Sequence, residues 1–488
     1  MSRVDDRFRR YPGLPVMTCD GFSVVRTRFA PSPTGSLHLG NARAAALNWL
    51  FARNQRGAFV LRIDDTDQER NVPSGEADII EALQWLGLDH DEGPDRGGAF
   101  GPYRQSERIE RHRELARQLL ESGHAFLCYC TRDELQAHRA AAIAADQPPG
   151  HSPHRDLSDE RRRRFEAEGR SPAIRLRAPG GPIEYRDRLK GVLSIDGDDL
   201  GDPTILRADG TPTYNFASTA DDIDMRISHV IRGVGHLPNT PKQVLICRAL
   251  GAQPPEFVHV PTVLAPGGGK LSKRRGAASV LDYRDRGFHP AGVLNYLSLL
   301  SWSAADGTEV MAPGELIAGI DLDRLGAHDP ELDENKLGWL SGQHIRQEAP
   351  EALAAMWRGF GGLDDLGLDE DDLLRAAEVF ARRTRLLTEA GPELEAVFGA
   401  GSAGCPDSAG EREVLQLVAD AWAEAPWRPA ELKQAMRTAM KASPVRGRGF
   451  FGPLRRALTG RDEGPDLAEV AYALGRSRTL RRLTGKRS

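Results

Sequence analysis

The sequence predicts an α/β domain with a parallel sheet, split by an insertion and followed by an all-α region. In the first third of the chain, strand-like runs alternate with helical ones, at 24–29, 42–53, 59–63, 76–86 and 106–121. Strand patterns resume near Ile205 and at 228–232 and 257–264. Beyond residue 325 amphipathic helical stretches dominate, as at 373–387 and 411–423.

These patterns divide the chain into four predicted parts. They are an N-terminal extension at 1–23, an α/β domain at 24–102 and 203–325, an insertion at 103–202, and a helical region at 326–488. The extension mixes Arg, Asp, Pro and Gly and lacks the apolar core of a secretion signal, and Met17 is an alternative start.

Composition excludes several classes of protein. Of the 488 residues, 40% are hydrophobic and 28% charged, which is typical of soluble globular proteins. The longest apolar stretches span about ten residues, whereas a membrane helix needs roughly 20. Five cysteines without framework spacing indicate a reducing compartment. We therefore expect a cytoplasmic protein without a membrane segment, and nothing requires more than a monomer.

Charge is unevenly placed along the chain. The formal net charge of −5 argues against a polycation that coats nucleic acid indiscriminately. Residues 441–488, however, carry 12 Lys or Arg against 4 Asp or Glu. An RNA backbone fits such a surface, and a solvated helix face is the alternative.

A motif near the start of the α/β domain is typical of a phosphate site. Residues 31–41 read PSPTGSLHLGN and lie between a predicted strand and a predicted helix. Gly35 and Gly40 permit close backbone approach, and His38 can donate to phosphate oxygens. The helix N-terminus favours the anionic charge that builds up during displacement. Alone, such a His-x-Gly turn is more often structural.

A second motif follows three consecutive glycines. Residues 270–274 read KLSKR, in which the Lys270 and Lys273 ammonium groups can close over a leaving pyrophosphate. Alone, this loop is more often surface decoration. Together, in this order and context, the two motifs predict adenylate chemistry.

The two motifs and five further segments resemble the class I glutamyl-tRNA synthetases. The family's HIGH-type motif corresponds to 38–41 and its KMSKS-type motif to 270–274. The further segments are 61–67, 101–108, 212–216, 230–233 and 239–241. The resemblance implies a Rossmann-type class I catalytic domain, an inserted domain that binds the tRNA acceptor end, and an all-α anticodon-binding region.

The family's reaction has two steps. The carboxylate of L-glutamate attacks the α-phosphorus of ATP bound with Mg²⁺, and the 3′ end of tRNA(Glu) then takes the acyl group. The resemblance implies His38, Gly40, Lys270 and Lys273 as catalytic residues. It implies His38, Gly40, Asn41 and Lys273 as the ATP-binding residues.

A glutamate pocket needs two cationic or strongly donating groups for the carboxylates and an acid for the ammonium. The resemblance assigns Arg28 and Arg232 to the carboxylates, Asp64 to the ammonium and Tyr214 as a hydroxyl donor. Ala30 and Ser32 would line this pocket.

The chain departs from the family beside the ATP pocket. Where the family reads Arg-Gly-acid-acid-His, this chain has Val234 and Gly235 in place of the two acids. Losing two carboxylates puts the ribose or adenine contacts in doubt, so we expect a raised KM for ATP.

A zinc site is one interpretation of the insertion. Thiolates and imidazoles suit zinc, and some family members carry it on a Cys-x-Cys pair and a downstream Cys-x-His pair. This chain offers Cys128, Cys130, His154 and Asp156 at those positions. We prefer the other interpretation, two packed thiols beside a polar loop, because many members lack the metal.

Three rival functions share parts of these patterns. A shortened relative glutamylates an anticodon base but lacks the C-terminal region, and glutaminyl-tRNA synthetases end in β-barrels. A non-catalytic paralogue would bind tRNA without charging it. Whether tRNA for glutamine is also charged stays open; the choice would lie partly near Arg382, Arg383 and Arg385.

Overall fold

The computed structural model describes residues 24–146, 151–269, 278–360, 363, 366–399 and 408–485. The chain forms two compact units, one reaching Leu281 and including Leu294–Asp333, the other comprising Asp282–Val293 and the residues from Glu334 onward. The predicted N-terminal extension and the lysines Lys270 and Lys273 lie outside the described residues.

The first unit contains the strands. They are β1 Arg26–Phe29, β2 Ala58–Leu61, β3 Ala125–Cys128, β4 Ala173–Leu176, β5 Pro182–Asp187, β6 Gly191–Asp196, β7 Thr204–Leu206, β8 His229–Gly233 and β9 Glu256–Val260. Six of them form one sheet in the order β2-β1-β8-β9-β5-β6. All neighbours in it are parallel except β5 and β6, which are antiparallel.

Helices cover and connect these strands. They are α1 Leu39–Asn54, α2 Gly75–Trp85, α3 Ile109–Glu121, α4 Arg132–Ala144, α5 Asp159–Ala167, α6 Gly197–Leu200, α7 Tyr214–Asp224 and α8 Thr240–Ala249. Then follow α9 Val280–Asp285 and α10 Pro290–Leu299, which the unit boundary crosses, and α11 Pro313–Gly319. Buried side chains of β2, β5, β8, β9 and α8 form one core cluster under the sheet: Val60, Ile183, Val230, Phe257 and Val244.

The predicted insertion contributes to two sheets. Strands β3, β4 and β7 form a separate antiparallel sheet, which packs on α3. Strands β5 and β6 also lie within residues 103–202, yet β5 pairs with β9 of the main sheet. The chain therefore returns to the parallel sheet before the insertion ends; its boundaries stay a prediction.

The second unit is helical throughout its described residues. Its helices are α12 Glu334–Gln347, α13 Pro350–Gly359, α14 Glu370–Phe380, α15 Ala390–Phe398, α16 Ala409–Glu424, α17 Pro429–Ala442, α18 Arg448–Thr459, α19 Leu467–Leu474 and α20 Arg476–Thr484. One apolar core, which includes Trp357 and Trp422, joins α13 to α20. The predicted fold class, a split α/β domain followed by a helical region, is confirmed.

Local capping explains where the observed elements differ from the predicted ones. Helix α1 begins at Leu39 rather than residue 42 because His38 caps it. The last predicted strand ends at Val260, since Pro261 has no N–H to donate. Helix α14 ends at Phe380, and only a 3-10 turn at Ala381–Arg383 continues it, so the helix predicted over 373–387 is wrong in its last part. There the backbone N–H of Arg385 donates to the Glu389 carboxylate at 2.6 Å instead of continuing the helix.

None of the described helices combines the length and the apolar character that crossing a membrane requires.

The helical core makes a stability prediction. Trp357 is 1% exposed, and replacing it with alanine should lower the free energy of unfolding of the second unit by about 3–5 kcal/mol. Trp339, which is 39% exposed, is the matched control, and its replacement should cost less than about 1 kcal/mol. Urea unfolding of both variants measures the difference; equal losses would contradict this account of the core.

Candidate active site

The site residues gather at one edge of the parallel sheet. Strands β1, β2, β8 and β9 run in the same direction, so their carboxyl ends meet at that edge. Open α/β sheets bind ligands there because the chain leaves each strand in a loop that can present side chains. The two motif segments described, Arg28 to Asn41 and Arg62 to Asp64, leave β1 and β2 at this edge.

The first motif forms the predicted turn before α1. His38 is the N-cap residue of α1, and its Nδ1 accepts a hydrogen bond from the backbone N–H of Asn41 at 3.4 Å. A Cβ on Gly40 would lie 3.3 Å from the His38 ring, so a larger residue would press on the imidazole. Gly35 has a φ of 147°, a conformation that other residues rarely adopt. This turn presents a helix N-terminus and an imidazole together.

Buried ion pairs connect β1, β2 and α7. Arg62 is fully buried; its Nε donates to Asp64 at 2.7 Å and its Nη1 to Asp222 at 2.6 Å. Asp222 also accepts a longer hydrogen bond, 3.3 Å, from Nε of Arg28. Ser218, one turn before Asp222 on α7, accepts from Arg62 at 3.1 Å. The network thus connects Arg28 to Asp64 through Asp222 and Arg62.

The Asp64 carboxyl in this network has a raised pKa. Burial raises the pKa of its carboxyl to about 6, although Arg62 opposes the rise. Its Oδ2 is the less engaged oxygen, 3.5 Å from Nη2 of Arg62.

Arg232 lies on β8 with a neutral partner. Its Nε donates to Nε2 of His259 at 3.0 Å, and its Nη2 donates to the Thr240 hydroxyl at 2.9 Å. Its Nη1 is buried and has no hydrogen-bond partner among the described residues. Burial, together with the nearby charge of Arg28, lowers the pKa of Arg232 to about 10, although Tyr214 and Asp222 oppose this lowering. Two arginines are therefore brought close enough to repel each other.

The remaining pocket residues lie on the turns around these arginines. Tyr214 begins α7, and its hydroxyl is 3.3 Å from Nδ1 of His236. It is also near enough to Arg232 to oppose the lowering of that residue's pKa. Ala30 is half-buried directly after β1, and Ser32 is exposed, with its carbonyl accepting from the Thr34 N–H at 2.8 Å.

Four residues of this network are not among the predicted site residues: Arg62, Ser218, Asp222 and His259. Arg62 stands inside a quoted motif, and Ser218 and Asp222 follow Tyr214 by four and eight residues, a helical spacing that places all three on one face. That spacing was a usable signal. For His259 the sequence holds none, because its partner Arg232 is 27 residues away.

The departure at Val234 and Gly235 lies beside the pocket. Both residues belong to a 3-10 helix, Val234–Asn239, that follows β8 directly. A Cβ on Gly235 would meet no described atom within 4 Å. The space beside Gly235 is therefore open, and no other described side chain fills it.

A group of metal-ligand type lies in the insertion. One ligand atom each of Cys128, Cys130 and His154 lies within 4.8 Å of the other two. A hydrogen bond from Cys130 lowers the pKa of the Cys128 thiol to about 5. Asp156 does not join them: its side chain is 82% exposed and pairs with Arg177 at 3.0 Å. The three donors fit three of the four positions of a tetrahedral zinc site.

The parallel sheet, its strand-turn-helix phosphate motif and the helical C-terminal unit together define a class I aminoacyl-tRNA synthetase. The description "tRNA synthetases class I (E and Q), catalytic domain" matches residues 24–339, and "Anticodon binding domain" matches residues 351–486. The chain belongs to this family, and it is an aminoacyl-tRNA ligase.

The proteins to which this chain is similar are glutamate–tRNA ligases. The glutamate–tRNA ligase of Symbiobacterium thermophilum is 42% identical over 479 residues, which cover 94% of this chain and 99% of the relative. That of Desulforudis audaxviator is 41% identical, with 94% and 95% covered. A crystal structure of a glutamate tRNA ligase from Elizabethkingia meningosepticum, in complex with its amino acid, has a TM-score of 0.79 at 30% identity and covers 94% of this chain and 98% of that one.

The Cys/His group makes a prediction about metal content. Closed structural zinc sites take four protein ligands, and only Cys128, Cys130 and His154 come together among the described residues, so we expect purified protein to hold less than one zinc per chain and to lose any bound zinc on dialysis against a chelator. Thermal melting should then show the first unit still folded. The control is Cys130→Ser, which should melt within a few degrees of the untreated protein. Stoichiometric zinc that survives dialysis, by metal analysis, would contradict the prediction.

Proposed function

We propose that this chain is a glutamate–tRNA ligase that activates L-glutamate with ATP and transfers it to the 3′ end of tRNA(Glu). The observation that carries the proposal is the pair of buried arginines, Arg28 and Arg232, at the carboxyl edge of the sheet. Two buried cations close to each other repel, and a ligand with two carboxylates relieves that repulsion. The names of the similar proteins point to the same amino acid.

The amino-acid pocket would hold glutamate at both ends. Arg28 and Arg232 would bind the two carboxylates, and Oδ2 of Asp64 would accept from the ammonium. Tyr214 would donate its hydroxyl, and Ala30 and Ser32 would line the remaining wall. An acidic side chain with a second carboxylate is favoured over glutamine because an amide cannot neutralise a buried guanidinium.

Adenylate formation would depend on positioning and charge. The His38 imidazole and the α1 N-terminus, which Gly40 leaves accessible, would stabilise the phosphates, with Asn41 at the same helix end. Lys270 and Lys273 would neutralise the leaving pyrophosphate. Aminoacyl-tRNA synthetases use ATP with Mg²⁺, and here Mg²⁺ enters with ATP as part of the substrate. No covalent enzyme intermediate is needed.

The second unit would bind the tRNA anticodon. Arg383 and Arg385 line a cavity of about 550 Å³ together with Glu393 and Arg461. The exposed C-terminal arginines Arg448 and Arg481 would add contacts to the RNA backbone. An anticodon-binding match over 351–486 argues against the shortened relative that lacks this region, and its helices argue against a β-barrel ending. We place the reaction in the cytoplasm and expect a monomer.

The test is transfer of radiolabelled glutamate to total bacterial tRNA with Mg²⁺ and ATP. We expect glutamyl-tRNA to form and excess unlabelled glutamine to compete poorly. Retained tRNA binding without transfer would instead establish the non-catalytic paralogue. Transfer of labelled glutamine in preference to glutamate would reject the assignment of the pocket. Purified tRNA(Glu) and tRNA(Gln) then decide whether one or both are charged.

Asp64 gives the proposed pocket a pH dependence. With a pKa of about 6, its carboxyl takes up a proton as the pH falls through 6 and loses the charge that would bind the ammonium. The KM for glutamate should therefore rise below pH 6, by up to about tenfold per pH unit. Asp64→Asn should raise this KM at pH 7.5 and remove the dependence, whereas Asp64→Glu keeps the charge and serves as the control. A KM that is constant from pH 5 to 7 in the unmodified enzyme would reject the role of Asp64.

The open space at Gly235 allows the lost carboxylates to be restored. The double variant V234E/G235D should lower the KM for ATP by about 2- to 10-fold, the gain expected from one added hydrogen bond. V234A/G235A adds bulk without charge and should leave this KM unchanged. If both variants bind ATP alike, the two missing acids do not limit ATP binding in this chain.

A further inference from the structure

We propose that His259 and Asp187 are positioning residues for glutamate binding, acting through Arg232. The inference rests on the proposed function and deepens it, because it concerns how the carboxylate-binding arginine is held. Neither residue belongs to a motif in the sequence.

The sheet register brings Arg232 and His259 together. They are Cα partners on the parallel strands β8 and β9, so their side chains emerge on the same face of the sheet. Nε of Arg232 donates to Nε2 of His259 at 3.0 Å. The Thr240 hydroxyl, 2.9 Å from Nη2 of Arg232 and 3.2 Å from Nε2 of His259, holds the other side. The side chains of His259, Phe257 and Arg232 are buried, and the centroid of the Phe257 ring lies 5.6 Å from the guanidinium carbon of Arg232.

These contacts fix the tautomer of His259. Because Nε2 accepts from Arg232, the ring proton must lie on Nδ1. Nδ1 then donates to Oδ2 of Asp187 at 2.7 Å. The Asp187 carboxylate thus orients the His259 imidazole, and the imidazole orients the Arg232 guanidinium. Hydrogen-bond partners behind the ligands of metal sites orient those ligands in the same way.

Asp187 is itself fixed by backbone donors. Its Oδ2 accepts from the backbone N–H of His259 at 3.0 Å. Its Oδ1 accepts from the N–H groups of Leu189 and Lys190 at 2.9 and 2.8 Å. Every acceptor position is used by a donor, so only an ionised carboxylate fits, and the pKa of Asp187 is lowered despite its burial.

The neutral imidazole leaves the charge of Arg232 available. Burial lowers the pKa of His259, which keeps the ring neutral and able to accept. Within the described part of the chain, no carboxylate is paired with Arg232, and its Nη1 has no partner. A carboxylate at the position of His259 would neutralise the guanidinium and compete with the substrate. The Asp187 carboxylate instead contacts His259 rather than Arg232, so it orients Arg232 through the imidazole without neutralising it.

The test measures KM values in tRNA glutamylation for three variants. His259→Leu removes the acceptor, and Asp187→Asn places an amide N–H₂ among backbone donors and favours the wrong tautomer. Each should raise the KM for glutamate by about 10- to 100-fold, while the KM values for ATP and tRNA change by less than about threefold. His259→Gln, whose amide can accept and donate along the same line, should recover most of the loss.

The matched control is His90→Leu. His90 is also buried in the same unit and is hydrogen-bonded to a carboxylate, Asp95 at 2.7 Å, but its hydrogen bonds among the described residues go to Asp95 and Arg96 and not to Arg232. It should lower the melting temperature without changing the KM for glutamate.

The outcomes separate this inference from the proposed function. An unmodified enzyme that forms no glutamyl-tRNA overturns the proposed function. An active unmodified enzyme whose His259→Leu and Asp187→Asn variants keep the KM for glutamate overturns the positioning role. A similar rise in all three KM values, or a fall in kcat alone, shows a structural role only and also overturns it.

Discussion

The buried charge of Arg62 is the interaction on which the pocket depends. Its guanidinium joins Asp64, which follows β2, to Asp222 on α7, and Asp222 in turn holds Arg28 on β1. Removing one partner of such a buried pair typically costs about 3–5 kcal/mol, because the other charge is left without compensation. The sheet, α7 and both sides of the pocket are thus coupled through one fully buried side chain.

The two arginines proposed to bind the carboxylates, Arg28 and Arg232, differ in the charge of their partners. Arg28 has Asp222 as a partner at 3.3 Å, whereas Arg232 has only neutral partners among the described residues. The pocket therefore keeps a positive charge that water cannot screen well, and its desolvation is visible in the lowered pKa of Arg232. In the proposed function a substrate carboxylate would supply the missing negative charge, so affinity and selectivity for an acidic side chain would share one physical cause.

Much of this arrangement could be predicted from the sequence because it is local. Residues 31–41 form the turn from β1 into α1, as predicted, and the strand and helix patterns give the order of the α/β domain. Errors arose where tertiary contacts override a pattern. The residues after Phe380 have a helical pattern, yet the backbone N–H groups of Arg385 and Leu386 donate to the Glu389 carboxylate instead of to helix carbonyls. Asp156 has metal-ligand spacing, yet it pairs with Arg177 on the surface.

The least predictable residues are those that orient the pocket from a distance. Asp187 and His259 are 72 positions apart, and only the pairing of β5 with β9 brings them together. Asp187 also lies in the predicted insertion, whose implied role is to hold the tRNA acceptor end. The chain leaving that insertion thus provides both a strand of the main sheet and the carboxylate behind Arg232. Because β5 cannot shift without moving Asp187, a displacement of the insertion at this strand would alter the orientation of Arg232. The insertion expected to hold the tRNA acceptor end and the pocket proposed for glutamate are therefore connected at β5, covalently and by hydrogen bonds, and no motif in the sequence indicates this connection.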